Sequence, residues 1–364
     1  QSPESSLRCW KTTSRQTAPS EFRPHWCRIS AVAPRFRREV EAFGEIGASR
    51  SQIHRMLMEI PEGSGPPMST NARMIATDLD GTLLRPDSTV SPRTLAALVA
   101  ARQAGLIVTL VTGRPPRWLA PVVHQTGWHG LAVAANGAVL IDLEERRIEQ
   151  TYPIPRDDLL AAVAAIRDLL PGASFATEYV HAGAAVPVID PLAPPEDADA
   201  PASFGHEPGY RSLALKMPHM PATAPIEELI EEGNVVKLLA RGPAEGVDNP
   251  DATMHRIADA LAGLVTVTHS TTQTVLLEIS RSDTSKATGL EALARHHNIR
   301  REDVIAIGDM PNDLPMLQWA GTGLAVGNAH PRVLADVGSN NILPTNTDDG
   351  VASVIEGLLS EAPE

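Results

Sequence analysis

Two aspartates stand one residue apart in MIATDLDGTLL, residues 74–84, where a mostly apolar run meets Asp78, Leu79 and Asp80 and breaks at Gly81 and Thr82. A carboxylate pair of this kind divides labour, one member attacking as nucleophile and the other serving as general acid and base. A second acidic stretch, IGDMPNDLPML, brings Asp309, Asn312 and Asp313. Several hard oxygen ligands with room for water suit Mg2+ rather than zinc. VTGR offers the Thr112 hydroxyl and the unhindered N–H of Gly113. In DTSKATGLEAL a helix is expected to start at about Ser285, with Lys286 in its first turn, where the dipole and an ammonium both favour an anion. Carboxylates, magnesium and a cationic anion site together describe phosphoryl transfer. The metal offsets repulsion between a carboxylate nucleophile and an anionic phosphate.

These residues need elements that bring them together. From Met74 onward, short β-rich runs alternate with helical periodicity, the order that predicts a parallel sheet covered on both faces. The reading is strand 74–79, helix 91–104, strand 107–112, helix 116–126, and then LAVAANGAVLID, 131–142, as a strand, an Asn-Gly turn and a returning strand. The same pattern resumes with helix 285–297, strand DVIAIGD, helix 312–318, strand GTGLAVG and closing helix 349–359. Asp78, Thr112 and Asp309 then close three strands, and in such sheets ligands bind beyond the carboxyl ends. The i, i+2 spacing of Asp78 and Asp80 would put both side chains on one face of a continuing strand.

The middle of the chain reads as a separate α+β unit: helix 156–169, strand FATEYV, helix EELIEE, strand NVVKLLA, helix 251–262 and strands 264–268 and 274–279. A stretch at about 181–203, rich in Pro, Ala and Asp and without periodicity, is expected to be a mobile loop. The expected fold class is therefore α/β, a doubly wound, Rossmann-like parallel-sheet core in two parts, 68–150 and 282–364, with an inserted α+β cap over 151–281.

Residues 1–67 are different material. They hold both cysteines, Cys9 and Cys27, and are rich in Arg, Ser and Pro, with one amphipathic candidate helix around 36–58. Ten of the chain's 31 basic and seven of its 44 acidic residues fall there, so the remainder is strongly acidic. This segment is read as a disordered or adventitious extension before a natural start at Met68 or Met74. No apolar run reaches the roughly 18 residues a membrane span needs, no basic surface favours nucleic acid, and two cysteines without CxxC spacing support neither a disulfide framework nor structural zinc. A cytoplasmic monomer or homodimer acting on a small molecule is expected.

The four motifs, DLDGT, VTGR, SKATGL and GDMPND, in this order, resemble the haloacid dehalogenase superfamily of phosphohydrolases, and the layout looks like its Cof-type branch. NGAVLID, VGNAHPRVLADV and TNTDDGVASVI are similar to accessory stretches of that branch. The resemblance implies that Asp78 attacks phosphorus to form an aspartyl-phosphate, and that Asp80 protonates the leaving oxygen and then activates water. It implies Mg2+ on the Asp78 carboxylate, the Asp80 carbonyl and Asp309, with Asp313 in support. Leu79, Thr112, Gly113, Lys286 and Asn312 would hold the phosphate oxygens. The expected function is hydrolysis of a small phosphorylated metabolite, such as a sugar phosphate or phosphorylated cofactor. A phosphomutase and a phospho-accepting module are the alternatives. Asn136 and Gly137 form a good turn in their own right or contact substrate, Arg114 reads as a solvated or salt-bridged arginine, and Glu178 and His206, candidates to face the substrate from the cap, read first as surface or loop residues. His296 and His297 diverge on a helix, and Trp118, Trp128 and Trp319 read as core or interface.

Overall fold

The β-rich runs become strands because turn formers bound them, and the periodic stretches become helices, opened by the side chains of Ser91, Asn249 and Ser285 at three of their N-termini and by proline at others. The computed structural model describes residues 72–128, 130–180, 183, 204–210, 222–243, 247, 249–269 and 274–361. The N-terminal segment, its cysteines and its candidate helix, and the 181–203 loop except Gly183, lie outside the described residues. The first stretch holds β1 (Met74–Thr77), α1 (Pro92–Gln103), β2 (Ile107–Leu110), α2 (Ala120–Thr126), β3 (Leu131–Ala134), β4 (Val139–Asp142) and β5 (Arg147–Thr151). The middle holds α3 (Arg156–Leu169), β6 (Ser174–Tyr179), β7 (Phe204–His206), β8 (Ala222–Thr223), α4 (Ile226–Glu231), β9 (Val235–Arg241), α5 (Pro250–Ala260), β10 (Val265–Thr268) and β11 (Leu276–Arg281). The last holds α6 (Lys286–His296), β12 (Val304–Gly308), α7 (Leu314–Trp319), β13 (Thr322–Val326), α8 (Pro331–Val337), β14 (Ile342–Leu343) and α9 (Gly350–Glu361).

Five strands pair in parallel in the order β14-β13-β12-β1-β2. Both β1 and β12 are buried along their whole length, as strands covered on both faces must be. The chain leaves β1 for β2 on one side and returns as β12 on the other. The strand order thus reverses between β1 and β12, where α/β sheets open a crevice at their carboxyl ends. A bridge from Val111 to Val133 attaches a second, antiparallel sheet, β3-β4-β5. The fold class is α/β, as expected.

The six-stranded sheet β10-β11-β9-β6-β7-β8 is built wholly from the middle stretch and is antiparallel except where β7 meets β8. One of its faces packs on α3, α4 and α5 around Phe175, Leu238, Met254 and Ile279, a separate apolar core. Alternation turns Glu178, Lys237 and Glu278 to the other face. Val180 and Val236 join the larger core of the parallel sheet, so the two parts share an apolar seam.

Boundaries moved where the polypeptide turns early. The expected strand 74–79 ends at Thr77 because the Leu79 carbonyl accepts the N–H groups of Thr82, Leu83 and Leu84 and coils the chain. The expected helices 116–126 and 312–318 each open as a 3-10 turn, Pro116–Trp118 and Pro311–Asp313, where proline leaves a donor out of the first turn. Short β5, β7, β8 and β14 carried no alternation long enough to read.

Candidate active site

Asp78 follows β1 and Asp309 follows β12, so the parallel pairing of those strands brings the two carboxylates side by side. Asp313 joins them from the 3-10 turn that follows. Ligand oxygens of Asp78, Asp309 and Asp313 lie within 4.8 Å of one another, and all three residues are buried. Asp313 is held by its own loop, since one carboxylate oxygen accepts the N–H groups of Asp309 and Met310 at 2.9 Å each. Its other oxygen accepts from Lys286 Nζ at 2.5 Å, and Lys286 also donates to Asp78 at 2.6 Å. Lys286 stands on the first turn of α6, whose N-cap Ser285 exchanges hydrogen bonds with Thr288.

One lysine does not balance three carboxylates. Burial, then repulsion from Asp313 and Asp309, holds the Asp78 carboxyl well above its usual range against the pull of Lys286. Burial and Asp313 push Asp309 up to about 7. Burial works against the charge on Lys286, but Asp313 and Asp78 outweigh it and hold its ammonium protonated. The set calls for a divalent cation. Three oxygen donors with an excess of negative charge fit a hard ion such as Mg2+, which prefers carboxylate ligands and keeps waters.

Asp80 departs from expectation. The strand does not continue, so Asp78 and Asp80 do not share a face: Asp78 is buried, whereas the Asp80 side chain is 57% exposed. Arg114 grips Asp80 with two bonds, Nε to Oδ2 at 2.7 Å and Nη2 to Oδ1 at 2.5 Å. Of the two readings of Arg114, the salt-bridged one holds. Leu79 is buried between the two aspartates. Gly81 adopts φ +83°, and a Cβ there would lie 2.2 Å from Asp309 Oδ2, so a glycine is required. Thr82 donates to Asp309 at 3.0 Å, Asn328 to the Gly81 carbonyl and Asn346 to the Leu84 carbonyl, both at 2.8 Å. The accessory stretches that carry these asparagines thus brace the loop after Asp78.

Thr112 and Gly113 follow β2 on the neighbouring strand. The Thr112 hydroxyl accepts the Arg114 N–H at 3.1 Å, and the Gly113 carbonyl accepts from Lys237 Nζ of β9 at 2.7 Å. Lys237 also donates to Glu278 of β11 at 2.5 Å. Glu278 in turn accepts from Asn136 Nδ2 at 2.7 Å, and Asn136 Oδ1 accepts from Asn312 at 3.1 Å. A continuous buried chain of polar groups thus runs from Gly113 through the cap and back to Asn312.

Sequence reasoning missed Lys237, Glu278 and Arg117, because nothing in NVVKLLA, VLLEIS or PPRW separates a buried charge from a solvated one. The one available signal was period: Lys237 and Glu278 interrupt otherwise apolar strands. Glu178 and His206 are corrected outright. Both are buried on strands rather than at the surface. Glu178 pairs in a bidentate ion pair with Arg117, whose guanidinium also lies 4.6 Å from the rings of Trp118 and Phe204. Burial still raises the Glu178 carboxyl against the pull of Arg117. Trp128 is core, Trp319 packs partly buried against it, and Trp118 is 36% exposed.

A parallel sheet whose switch point gathers three buried aspartates and a lysine, beneath a largely antiparallel cap, defines the class: a capped, doubly wound α/β protein with an acidic site. A family model described as haloacid dehalogenase-like hydrolase matches residues 75–355. The chain belongs to that family. Among curated relatives, it is 28% identical over 297 residues to the 5-amino-6-(5-phospho-D-ribitylamino)uracil phosphatase YitU of Bacillus subtilis, covering 80% of this chain and 100% of that one. It is 27% identical to the pyridoxal phosphate phosphatase YbhA of Escherichia coli, over 78% of this chain and 97% of the relative. Among solved structures, a haloacid dehalogenase-like hydrolase from Bacteroides thetaiotaomicron matches with TM-score 0.58 and 26% identity, over 79% of this chain and 99% of that chain.

Proposed function

We propose that the protein is a Mg2+-dependent phosphatase that hydrolyses a small phosphorylated metabolite through an aspartyl-phosphate on Asp78. The observation that carries this is the convergence of Asp78, Asp309 and Asp313 around one point with a single lysine between them. Family membership adds the reaction class, a phosphoric monoester hydrolase, and relatives named for 5-amino-6-(5-phospho-D-ribitylamino)uracil and for pyridoxal phosphate point to a small substrate.

The carboxylates of Asp78 and Asp309 and the carbonyl of Asp80 would hold the ion, with Asp313 supporting Asp309. When bound, the ion supplies positive charge that keeps Asp78 ionised and screens it from an anionic phosphate. Asp78 then attacks phosphorus, and the ester oxygen leaves with a proton from Asp80. In the second half, Asp80 takes a proton from water, which attacks the phosphoryl group and restores Asp78. The Leu79 and Gly113 amides, Thr112, Asn312 and Lys286 surround the phosphate oxygens. Lys286 supplies charge there and keeps Asp78 oriented. The site residues so assigned sit under a cap formed by residues 151–281, which excludes bulk water. The two cysteines and the acidic balance fit a cytoplasmic monomer or homodimer that does not bind nucleic acid.

The test is phosphate release from a panel of phosphorylated sugars and cofactors, with Mg2+ and with a chelator, on the wild type and on Asp78→Asn. Release that needs both Mg2+ and Asp78 is the expected result. Turnover by folded Asp78→Asn would remove the nucleophile assignment. No release of phosphate, but an isomerised phosphate ester in its place, would turn the reading to a mutase.

A further inference from the structure

A second cluster of ligating side chains lies on the cap, outside the three aspartates. Asp251 and His255 stand one turn apart on α5, and His269 directly follows β10. The i, i+4 spacing places the first two on one face of the helix. Asp251 Oδ1 lies 3.6 Å from His255 Nδ1 and 3.7 Å from His269 Nε2, and one ligand atom from each of the three residues lies within 4.8 Å of the others. These separations are too long for hydrogen bonds. They approach the edge of a tetrahedron around an ion with bonds of about 2.0–2.1 Å, which is roughly 3.3 Å.

An aspartate in the first turn of a helix needs no such neighbours, because the dipole already stabilises it. Asp251 behaves differently. Its Oδ1 is withdrawn from water and accepts no hydrogen bond among the described residues, although the side chain as a whole is 39% exposed. The His255 side chain is 41% exposed and that of His269 only 9%, so an ion has a way in and a firm wall behind it.

We propose that Asp251, His255 and His269 form a cap site for a divalent ion of the Zn2+ class. Two imidazoles and one carboxylate suit Zn2+, Co2+ or Ni2+ and are poor ligands for Mg2+, which favours oxygen alone. The site therefore differs in kind from the three-aspartate cluster and selects a different metal. Its surroundings add a consequence. His255 Nδ1 lies 2.9 Å from the Asp251 carbonyl, and its Nε2 lies 3.2 Å from Nη1 of Arg332 on α8. Arginine only donates, so Nε2 is the acceptor and Nδ1 carries the proton without metal. Ligation through Nδ1, the nitrogen facing Asp251, moves that proton to Nε2, where it opposes Arg332. The ion and the Arg332 contact therefore exclude each other, and by linkage each weakens the other. Because His255 belongs to the cap and Arg332 to the core, an ion here releases one tie between them.

Cobalt(II) titrated into the untagged full chain under saturating Mg2+ tests this, since tetrahedral Co2+ absorbs visible light far more strongly than octahedral Co2+. One strongly absorbing equivalent is expected, displaced by Zn2+, retained in Asp78→Asn and lost in both His255→Ala and Asp251→Asn, with folding followed by circular dichroism. Arg332→Gln should tighten Co2+ several-fold. No visible band at millimolar Co2+, or an unchanged band in folded His255→Ala, would overturn the site. An unchanged affinity in Arg332→Gln would overturn the competition with the cap–core contact.

Discussion

Asp80 and Arg114 make the sharpest case at the scale of single residues. Arg114 grips Asp80 at the mouth of the site, and the proposed role of an aspartate held there is to protonate a leaving oxygen rather than to attack phosphorus. Asp80→Asn is expected to lower kcat about 10²- to 10⁴-fold, the usual contribution of a general acid. The loss should shrink for a nitrophenyl phosphate, whose leaving group needs no proton. Steady-state kinetics on alkyl and aryl phosphates decide the point, and an equal loss on both would assign Asp80 another role. Asp309 gives a second expectation. With its folded pKa pushed up to about 7, far above the ordinary range of an aspartate, the metal-free native state binds a proton that the unfolded chain has released, so stability is greatest at low pH and falls as pH rises towards 7. One such proton changes stability by at most about 1.4 kcal/mol per pH unit. Thermal unfolding in chelator should therefore show a lower Tm at pH 7.5 than at pH 5, and Mg2+ should raise Tm more at the higher pH, where Asp309 has shed its proton. A Tm that rises with pH in chelator would count against this account.

The decisive element is the contact between α6 and the turn joining β3 to β4. Asn136 and Gly137 both take positive φ there, +56° and +102°. A Cβ on Gly137 would lie 2.0 Å from the Ser285 carbonyl, so only glycine lets the first turn of α6, and Lys286 with it, approach. Gly137→Ala is expected to cost about 1–3 kcal/mol in urea unfolding and to lower kcat as well, because the shift displaces Lys286. A stability loss with full activity would show that the turn and the lysine are not coupled. At this scale much was legible. The helix at 156–169 and the Asn-Gly turn stand where periodicity and turn chemistry put them, since both signals are local. The ends near prolines were not, because a first turn in 3-10 form differs from an α-helix only in which carbonyl accepts.

Across the whole molecule, buried charge joins the cap to the core. Arg117 from the core and Glu178 from the cap form a pair with side chains only 4% and 2% exposed, and Lys237 reaches the Gly113 carbonyl from the other side. Removing one member of such a pair strands the other. Arg117→Met is expected to destabilise the protein by about 3–5 kcal/mol, whereas the double change with Glu178→Leu should recover most of it. Urea unfolding of the four proteins measures the coupling, and additive losses would mean that the pair does not hold the cap. Among the described residues no helix is long and apolar enough to cross a membrane.

The sequence alone determined the α/β class, the four motifs and the convergence of Asp78 and Asp309, because strand-end position in a parallel sheet is set by local pattern and one topological rule, and the motif resemblance added Asp313 and Lys286. Only the tertiary structure decided which way Asp80 turns and that Glu178, Lys237 and Glu278 face inward. It also brought Asp251, His255 and His269 together. Each of these depends on what lies opposite in space, across strands and across the cap–core seam, and a charged residue carries no local mark of the partner that will bury it.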